Sequence, residues 1–221
     1  MLNFIFSLGL IKVIVGKTGS GKSITAVNEI VKRDCKCYTN FEIMFPKATR
    51  LKISHIIKDD VEISPRGKEI HKKRVNWAYW NSVKDKEGFD IYIDEAHNVL
   101  NSRSSMSLWN KNFTSWITQI RKLFGENEKH HLYLITQRLG ALDVVARDLL
   151  SEIIYCNKVI EGKDVGIIKY VFKGAYAIEK FNAFENGLDN TYDSCSWFIA
   201  NGLFKYYNSY ALIDFGDDVY V

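Results

Sequence analysis

Short apolar runs recur along the chain, and each stops abruptly at a glycine or a polar residue. Val13-Ile14-Val15 runs into Gly16, Ile91-Tyr92-Ile93 into Asp94-Glu95, and Leu132 to Ile135 into Thr136-Gln137. Runs of this length, rich in β-branched and aromatic residues, predict strands buried on both faces. Between them the apolar spacing becomes helical. Ile24, Val27, Ile30 and Val31 share one face, as do Trp109, Phe113, Trp116, Ile117, Ile120, Leu123 and Phe124, with Gly125 closing that helix. Alternating strand and helix predicts an α/β fold, a mostly parallel central sheet flanked by helices. The expected strands are 13–15, 36–41, 89–94, 131–136 and 152–160. The alternating stretch from Val165 to Phe181, carrying Tyr170, Phe172 and Tyr176, predicts an antiparallel hairpin at the C-terminal sheet edge. The apolar run at residues 1–11 reads as a strand or hairpin beside the sheet.

Composition favours one domain over residues 1–221. Apolar residues make up 47% of the chain, enough for a core, and no Gly/Ser-rich or Pro-rich tract or internal repeat divides it. The four cysteines, at 35, 37, 156 and 195, lack zinc spacing and read as reduced thiols of a cytosolic protein. His130 and His131, adjacent in a strand, point to opposite faces and so do not read as a metal pair. The N-terminal run lacks a positive n-region and a cleavage site, and it is shorter than a bilayer span. The late stretch WFIANGLFKYYNSYALI is broken by Asn201, Lys205 and Asn208. The expectation is a soluble chain with no integral membrane span, leaving peripheral membrane contact open. Net charge is +4, unevenly spread: Lys47 to Lys86 holds 11 Lys/Arg against 5 Asp/Glu. The tightest cluster, His71-Lys72-Lys73-Arg74, precedes Trp77, Tyr79 and Trp80. Such a segment suits a phosphate backbone with aromatics for bases; a solvated basic face beside core aromatics fits it equally.

Residues 12 to 23 carry the densest chemistry. Gly16, Gly21, Lys22 and Ser23 satisfy Gly-x-x-x-x-Gly-Lys-Ser between a strand and a helix, the context this motif requires. The loop Gly16, Lys17, Thr18, Gly19, Ser20, Gly21, Lys22, Ser23 is therefore the candidate ATP phosphate cradle. Its amides and the helix N-terminus face the anion. Lys22 serves the β- and γ-phosphates, and Ser23 offers a hydroxyl to Mg²⁺. Asp94, at a buried strand's end, is the second candidate for holding Mg²⁺, through water, and Glu95 is the candidate base for the attacking water. Gln137 ends the strand after that and is placed to sense the γ-phosphate and orient water.

With these motifs in order, the chain resembles the additional-strand P-loop ATPases with a catalytic Glu, within them the FtsK/HerA branch that includes viral genome-packaging ATPases. It also resembles the zonula occludens toxin-like family of filamentous-phage assembly ATPases. Thr39-Asn40 is similar to that family's Thr-Asn, the string YIDEAH to its Asp-Glu-Ala-Gln/His element, and FKYYNSY to its tyrosine-containing ending. The basic segment holding Arg121, before the Thr-Gln, is similar to its arginine-bearing segment. The resemblance implies a RecA-like P-loop NTPase fold and a homo-oligomeric ring, usually a hexamer. In such a ring an arginine reaches the neighbour's γ-phosphate; Arg121 is the candidate, with Arg138 and Arg147 as rivals. DEAH also marks superfamily 2 helicases, but those need two RecA-like domains.

The expected function is Mg-ATP hydrolysis that moves viral or phage DNA. Filament-assembly relatives usually carry a membrane span after the ATPase region, and its lack here tilts the expectation toward genome packaging, with a capsid or membrane-vertex protein as partner and the host cytoplasm or virion as location. The alternatives are assembly or extrusion at a membrane, a small-molecule kinase, and a nucleotide switch without turnover.

Overall fold

The computed structural model describes residues 11–83, 88–104, 108–124 and 129–208, with the backbone alone for Ser104, Trp109 and residues 121–123. β1 (Ile11–Val15) leads through the glycine loop to α1 (Lys22–Arg33), then β2 (Lys36–Thr39), β3 (Ala48–Arg50) and a single helical turn, α2 (Ile53–Ile56). β4 (Ile57–Ile63) and β5 (Glu69–Val75) form a separate antiparallel hairpin. α3 (Trp77–Val83), β6 (Phe89–Ile93), α4 (Leu108–Phe124), β7 (His131–Thr136) and α5 (Val144–Asp148) return the chain to the main sheet. β8 (Glu152–Glu161), β9 (Asp164–Lys173), α6 (Ala177–Glu185) and β10 (Ser194–Ile199) complete it.

The main sheet has eight strands in the order β10-β9-β8-β1-β7-β6-β2-β3. β3, β2, β6, β7, β1 and β8 run parallel, while β9 is antiparallel to both β8 and β10. Parallel neighbours need helical crossovers, which cover both faces, so the central strands are buried throughout. Alternate side chains feed two cores. Val13, Val15, Ile91, Ile93, Leu132 and Leu134 pack with Trp80, Phe113, Trp116 and Ile120. Ile14, Tyr92, Tyr133 and Ile135 pack with Val27 and Ile30 of α1. His130 and His131 diverge as expected: His130 Nδ1 accepts from the Phe89 amide and its ring stacks on Phe124, whereas His131 reaches Asp90 on the other face.

The expected antiparallel hairpin on the C-terminal side of the sheet is present, formed by β8 and β9, but the stretch assigned to it is strand only as far as Lys173. Beyond Gly174 the buried residues Ala177 and Phe181 are four apart, a helical interval, and α6 packs them on the sheet. Nor is Trp80 available to stack on bases: it is fully buried among Tyr38, Phe89 and Trp116. Trp77 and Tyr79 are half-buried against the same core, Tyr79 stacked on His55. The strand or hairpin expected at residues 1–11 falls, but for Ile11, outside the described residues, and so does the closing Gly125. Among the described residues, no helix is long and apolar enough to cross a membrane.

Candidate active site

The site lies at the carboxyl ends of β1, β6 and β7, where an open parallel sheet presents its ligand crevice. Backbone geometry explains the glycines of the loop. A Cβ on Gly16 would stand 2.8 Å from the Cys156 carbonyl oxygen and 2.5 Å from Ser20 Oγ, and the strand beside it cannot yield. Gly21 has φ 92° as it opens α1, a region side chains avoid. The loop ends hydrogen-bonded inward, with the Thr25 hydroxyl donating to the Gly21 carbonyl at 2.8 Å.

Its donors are left facing an anion. Lys22 is nearly buried, and its ammonium donates to the Lys17 carbonyl at 3.1 Å. Ser20 Oγ is buried without a hydrogen-bond partner. A buried hydroxyl and a buried ammonium beside the N-terminus of a twelve-residue helix fit a bound phosphate chain.

The metal-holding pair is already assembled. Ser23 Oγ donates to Asp94 Oδ2 at 2.6 Å, and Asp94 is 2% exposed. Burial raises the Asp94 pKa, partly offset by hydrogen bonds from the Ser23 hydroxyl and the Glu95 amide. A buried carboxylate next to a hydroxyl, with only one ammonium nearby, is a hard-oxygen donor set that suits Mg²⁺. Asp94 is fixed from behind by Asn40 at the end of β2. Asn40 Nδ2 donates to the Asp94 carbonyl at 2.9 Å, and the Asp94 amide donates to Asn40 Oδ1 at 2.7 Å.

Glu95 adopts φ 49° and ψ 43°. A left-handed glutamate costs on the order of 1–3 kcal/mol and persists only where its surroundings impose it. The turn brings its carboxylate between the next two elements. Gln137 Nε2 approaches Oε1 at 3.5 Å, and His97 Nδ1 stands 3.3 Å from Oε2. Oε2 is buried beside the His97 ring, with no hydrogen bond completed to it. A carboxylate held beside the phosphate loop is what proton abstraction from a water requires. His97 also lies 3.4 Å from the Thr136 hydroxyl, which ties the turn to the end of β7.

The structure thus brings together Ser23, Asp94, Glu95 and Gln137. Arg121 lies on α4, with its side chain outside the described part. Arg138, adjoining Gln137, is exposed, and Arg147 lies on α5. Two site residues emerge only from the folded chain. Asn40 and His97 were visible as letters of two motifs, without roles. Tyr207, visible only within FKYYNSY, packs its ring edge-on against Phe41, the residue after Asn40. The basic cluster of β5 is largely neutralised by β4: Lys72 pairs with Glu62 at 2.5 Å, and Arg74 with Asp60 and Glu62.

The sequence of the zonular occludens toxin (Zot) family matches residues 10–212, nearly the whole chain. The chain belongs to the Zot family. It is a P-loop NTPase in fold and motif, and its parallel sheet carries the three strand-end motifs in register. The "Gene 1 protein" of Escherichia phage If1 is 25% identical over 150 residues, 66% of this chain and 41% of that protein. The chain thus spans about two-fifths of the length of this curated relative. The crystal structure of the N-terminal domain of zonular occludens toxin from Neisseria meningitidis superposes with a TM-score of 0.55 at 15% identity, covering 91% of this chain and 100% of that domain. At such identity the likeness establishes the fold alone. The genome packaging NTPase B204 of Sulfolobus turreted icosahedral virus 2, solved with ATP-gammaS, gives a TM-score of 0.43 at 15% identity over 88% of this chain and 94% of that one. That likeness is too loose to carry an argument.

Proposed function

We propose that this Zot-family chain hydrolyses Mg-ATP to drive phage assembly, moving phage DNA during assembly or extrusion at a membrane. The observation that carries the reading is the Ser23–Asp94 hydrogen bond, with the Glu95 carboxylate and Gln137 directly beside it. The loop amides and Lys22 bind and orient the phosphates. Ser23 and Asp94 would hold Mg²⁺, which when bound would supply positive charge to balance the phosphates. Glu95 takes the proton of the attacking water, Gln137 holds that water in line, and Arg121 completes the site of a neighbouring subunit in a ring, a hexamer by family resemblance.

Family membership and the relative from phage If1 favour assembly over packaging into a capsid. The tilt toward packaging came from the lack of a membrane span after the ATPase region. Because the chain covers about two-fifths of that relative, this lack has no weight. The β4–β5 hairpin lends DNA binding little support, since Lys72 and Arg74 are already paired with β4 carboxylates.

The test is ATP turnover with no DNA, single-stranded DNA and double-stranded DNA, with Lys22→Ala as control. DNA-stimulated turnover that vanishes in Lys22→Ala supports a DNA-moving motor, and the strand preference identifies the cargo. Turnover indifferent to both DNAs removes DNA from the reading and leaves an assembly ATPase, to be pursued with membrane partners. Tight ATP binding without turnover under every condition would overturn hydrolysis in favour of a switch.

A further inference from the structure

Two exposed surfaces play no part in the nucleotide site. The first is built on β10, an edge strand of the main sheet. Edge strands are normally blunted by charge or proline, because their free backbone groups pair with other chains. β10, Ser194 to Ile199, holds neither, and its Trp197 is 69% exposed with Ile199 beside it. Trp197 stands opposite Ile168 of β9, and Ile199 opposite Gly166, which in turn faces Val159 of β8. Gly166 does not have a positive φ, and a Cβ there would meet nothing closer than the Val159 carbonyl oxygen at 3.7 Å. The backbone does not require this glycine. Its missing side chain deepens a groove of about 470 Å³, and a glycine inside a strand often marks close approach by another group. Val159, Ile168, Trp197 and Ile199 line the groove, and Glu161 and Asp164 flank it at the β8–β9 turn. Lys163, between the two acids in sequence, does not line it.

The second surface is the β4–β5 hairpin, which the chain enters soon after β3, the strand at the opposite edge. Its base packs on the core through Ile57 and Val75. A two-stranded hairpin is marginally stable unless something covers it. Its outer half shows Val61 and Ile63 on one face, Ile63 being 76% exposed. The turn, residues 64–68, contains no acid. Arg66 and Lys68 are exposed there and make no ion pair among the described residues, whereas Asp60 and Glu62 are engaged by Lys72 and Arg74. The two surfaces match in order and are opposite in sign. Each carries apolar side chains running up to a charged turn, acidic at the groove and basic at the hairpin. We infer that the β4–β5 hairpin of one copy of this chain seats in the β8–β10 groove of the next, with Val61 and Ile63 in the apolar hollow and Arg66 and Lys68 against Glu161 and Asp164. Such a contact is head-to-tail, so it closes into a ring or extends as a filament. The inference goes beyond the proposed ATPase, because it names the surfaces that join subunits and uses no residue of the nucleotide site.

Sedimentation velocity of the full chain over a concentration series tests it. Wild type should self-associate. Gly166→Val fills the groove with a residue suited to a strand, so the fold is kept while the hairpin is shut out. Reversing the turn (Arg66→Glu with Lys68→Glu) or the groove (Glu161→Lys with Asp164→Lys) sets like charges against each other. Each of these three variants should associate at least about tenfold more weakly than wild type. Each should still bind a fluorescent ATP analogue like wild type, which shows that it is folded. The decisive sample mixes the two charge-reversed variants. Both contacts of an alternating assembly then join unlike charges, and association should return. A wild type that stays monomeric at every concentration overturns the inference and leaves the groove to a different ligand. Variants that associate like wild type overturn it as well, as does a mixture no more associated than its parts. None of these outcomes bears on the reading of the ATP site.

Discussion

Two buried aspartates four residues apart, Asp90 within β6 and Asp94 just after it, have opposite surroundings. Asp90, at the strand's start, is fully buried among donors. Arg33 Nε donates to Oδ2 at 2.5 Å, the Tyr92 hydroxyl at 3.2 Å, and the His131 amide donates to Oδ1 at 3.0 Å. Burial alone would raise its pKa, but His131 and Arg33 outweigh it and the net shift is downward. Asp94, at the strand's end, is buried as deeply and receives only a hydroxyl and an amide, and its pKa is raised. The first charge is neutralised by the protein. The second is left for a cation that the protein does not supply, which is the electrostatic signature of a site rather than of a scaffold.

The sharpest test of that contrast removes chemistry without touching the scaffold. Glu95→Gln keeps the turn and the approach of Gln137, but an amide cannot take a proton from water. Turnover should fall about 10²–10⁴-fold while binding of an ATP analogue is retained. A steady-state rate within threefold of wild type would show that another group is the base.

Next in size is the stability difference between the two aspartates. Asp90→Asn leaves Arg33 without its anion in a buried setting and should cost about 3 kcal/mol, the low end for breaking such a pair because Arg33 keeps some water contact. Asp94→Asn removes a charge that was never paired, and its stability should stay within about 1 kcal/mol of wild type. Urea unfolding of both variants gives the answer. Equal losses would erase the distinction drawn between the two ends of β6. A smaller effect is expected at Asn40, whose two hydrogen bonds hold the Asp94 backbone. Asn40→Ala should cost about 2 kcal/mol and lower turnover through misplacement of Asp94, whereas an unaltered rate would make the clamp purely structural.

Sequence patterns exposed the site where its residues are neighbours in the chain. Gly16 to Ser23 form one loop, and Asp94-Glu95 and Gln137 end strands whose apolar runs announce them. The pattern was silent where a residue's role comes from contacts across the fold. Asn40 acts on Asp94 from 54 positions away, and Tyr207 meets Phe41 from the far end of the described chain. Asp90 looked like any polar residue inside FDIYIDE, because nothing local shows that Arg33 and His131 converge on it. The helix that ends the 165–181 stretch was missed for a related reason. Tyr170, Phe172 and Tyr176 suit either period, and it is the positive φ at Gly174 that breaks the strand before α6.

The gentlest way to compare the two ends of β6 is acid. A carboxylate whose folded pKa is depressed contributes stability that is present above its unfolded pKa and is lost as pH falls through the folded one. For Asp90 that window lies below its ordinary value of 3.8. Wild type should therefore hold the Asp90 contribution down to about pH 4 and lose it below, as Arg33 and His131 face a neutral acid. Asp90→Asn, having lost it already, should show a shallower fall in melting temperature as pH drops below the unfolded carboxylate value of about 3.9. Parallel curves for the two proteins would mean that other carboxylates govern acid unfolding and that the Arg33–Asp90–His131 cluster is held together mainly by packing.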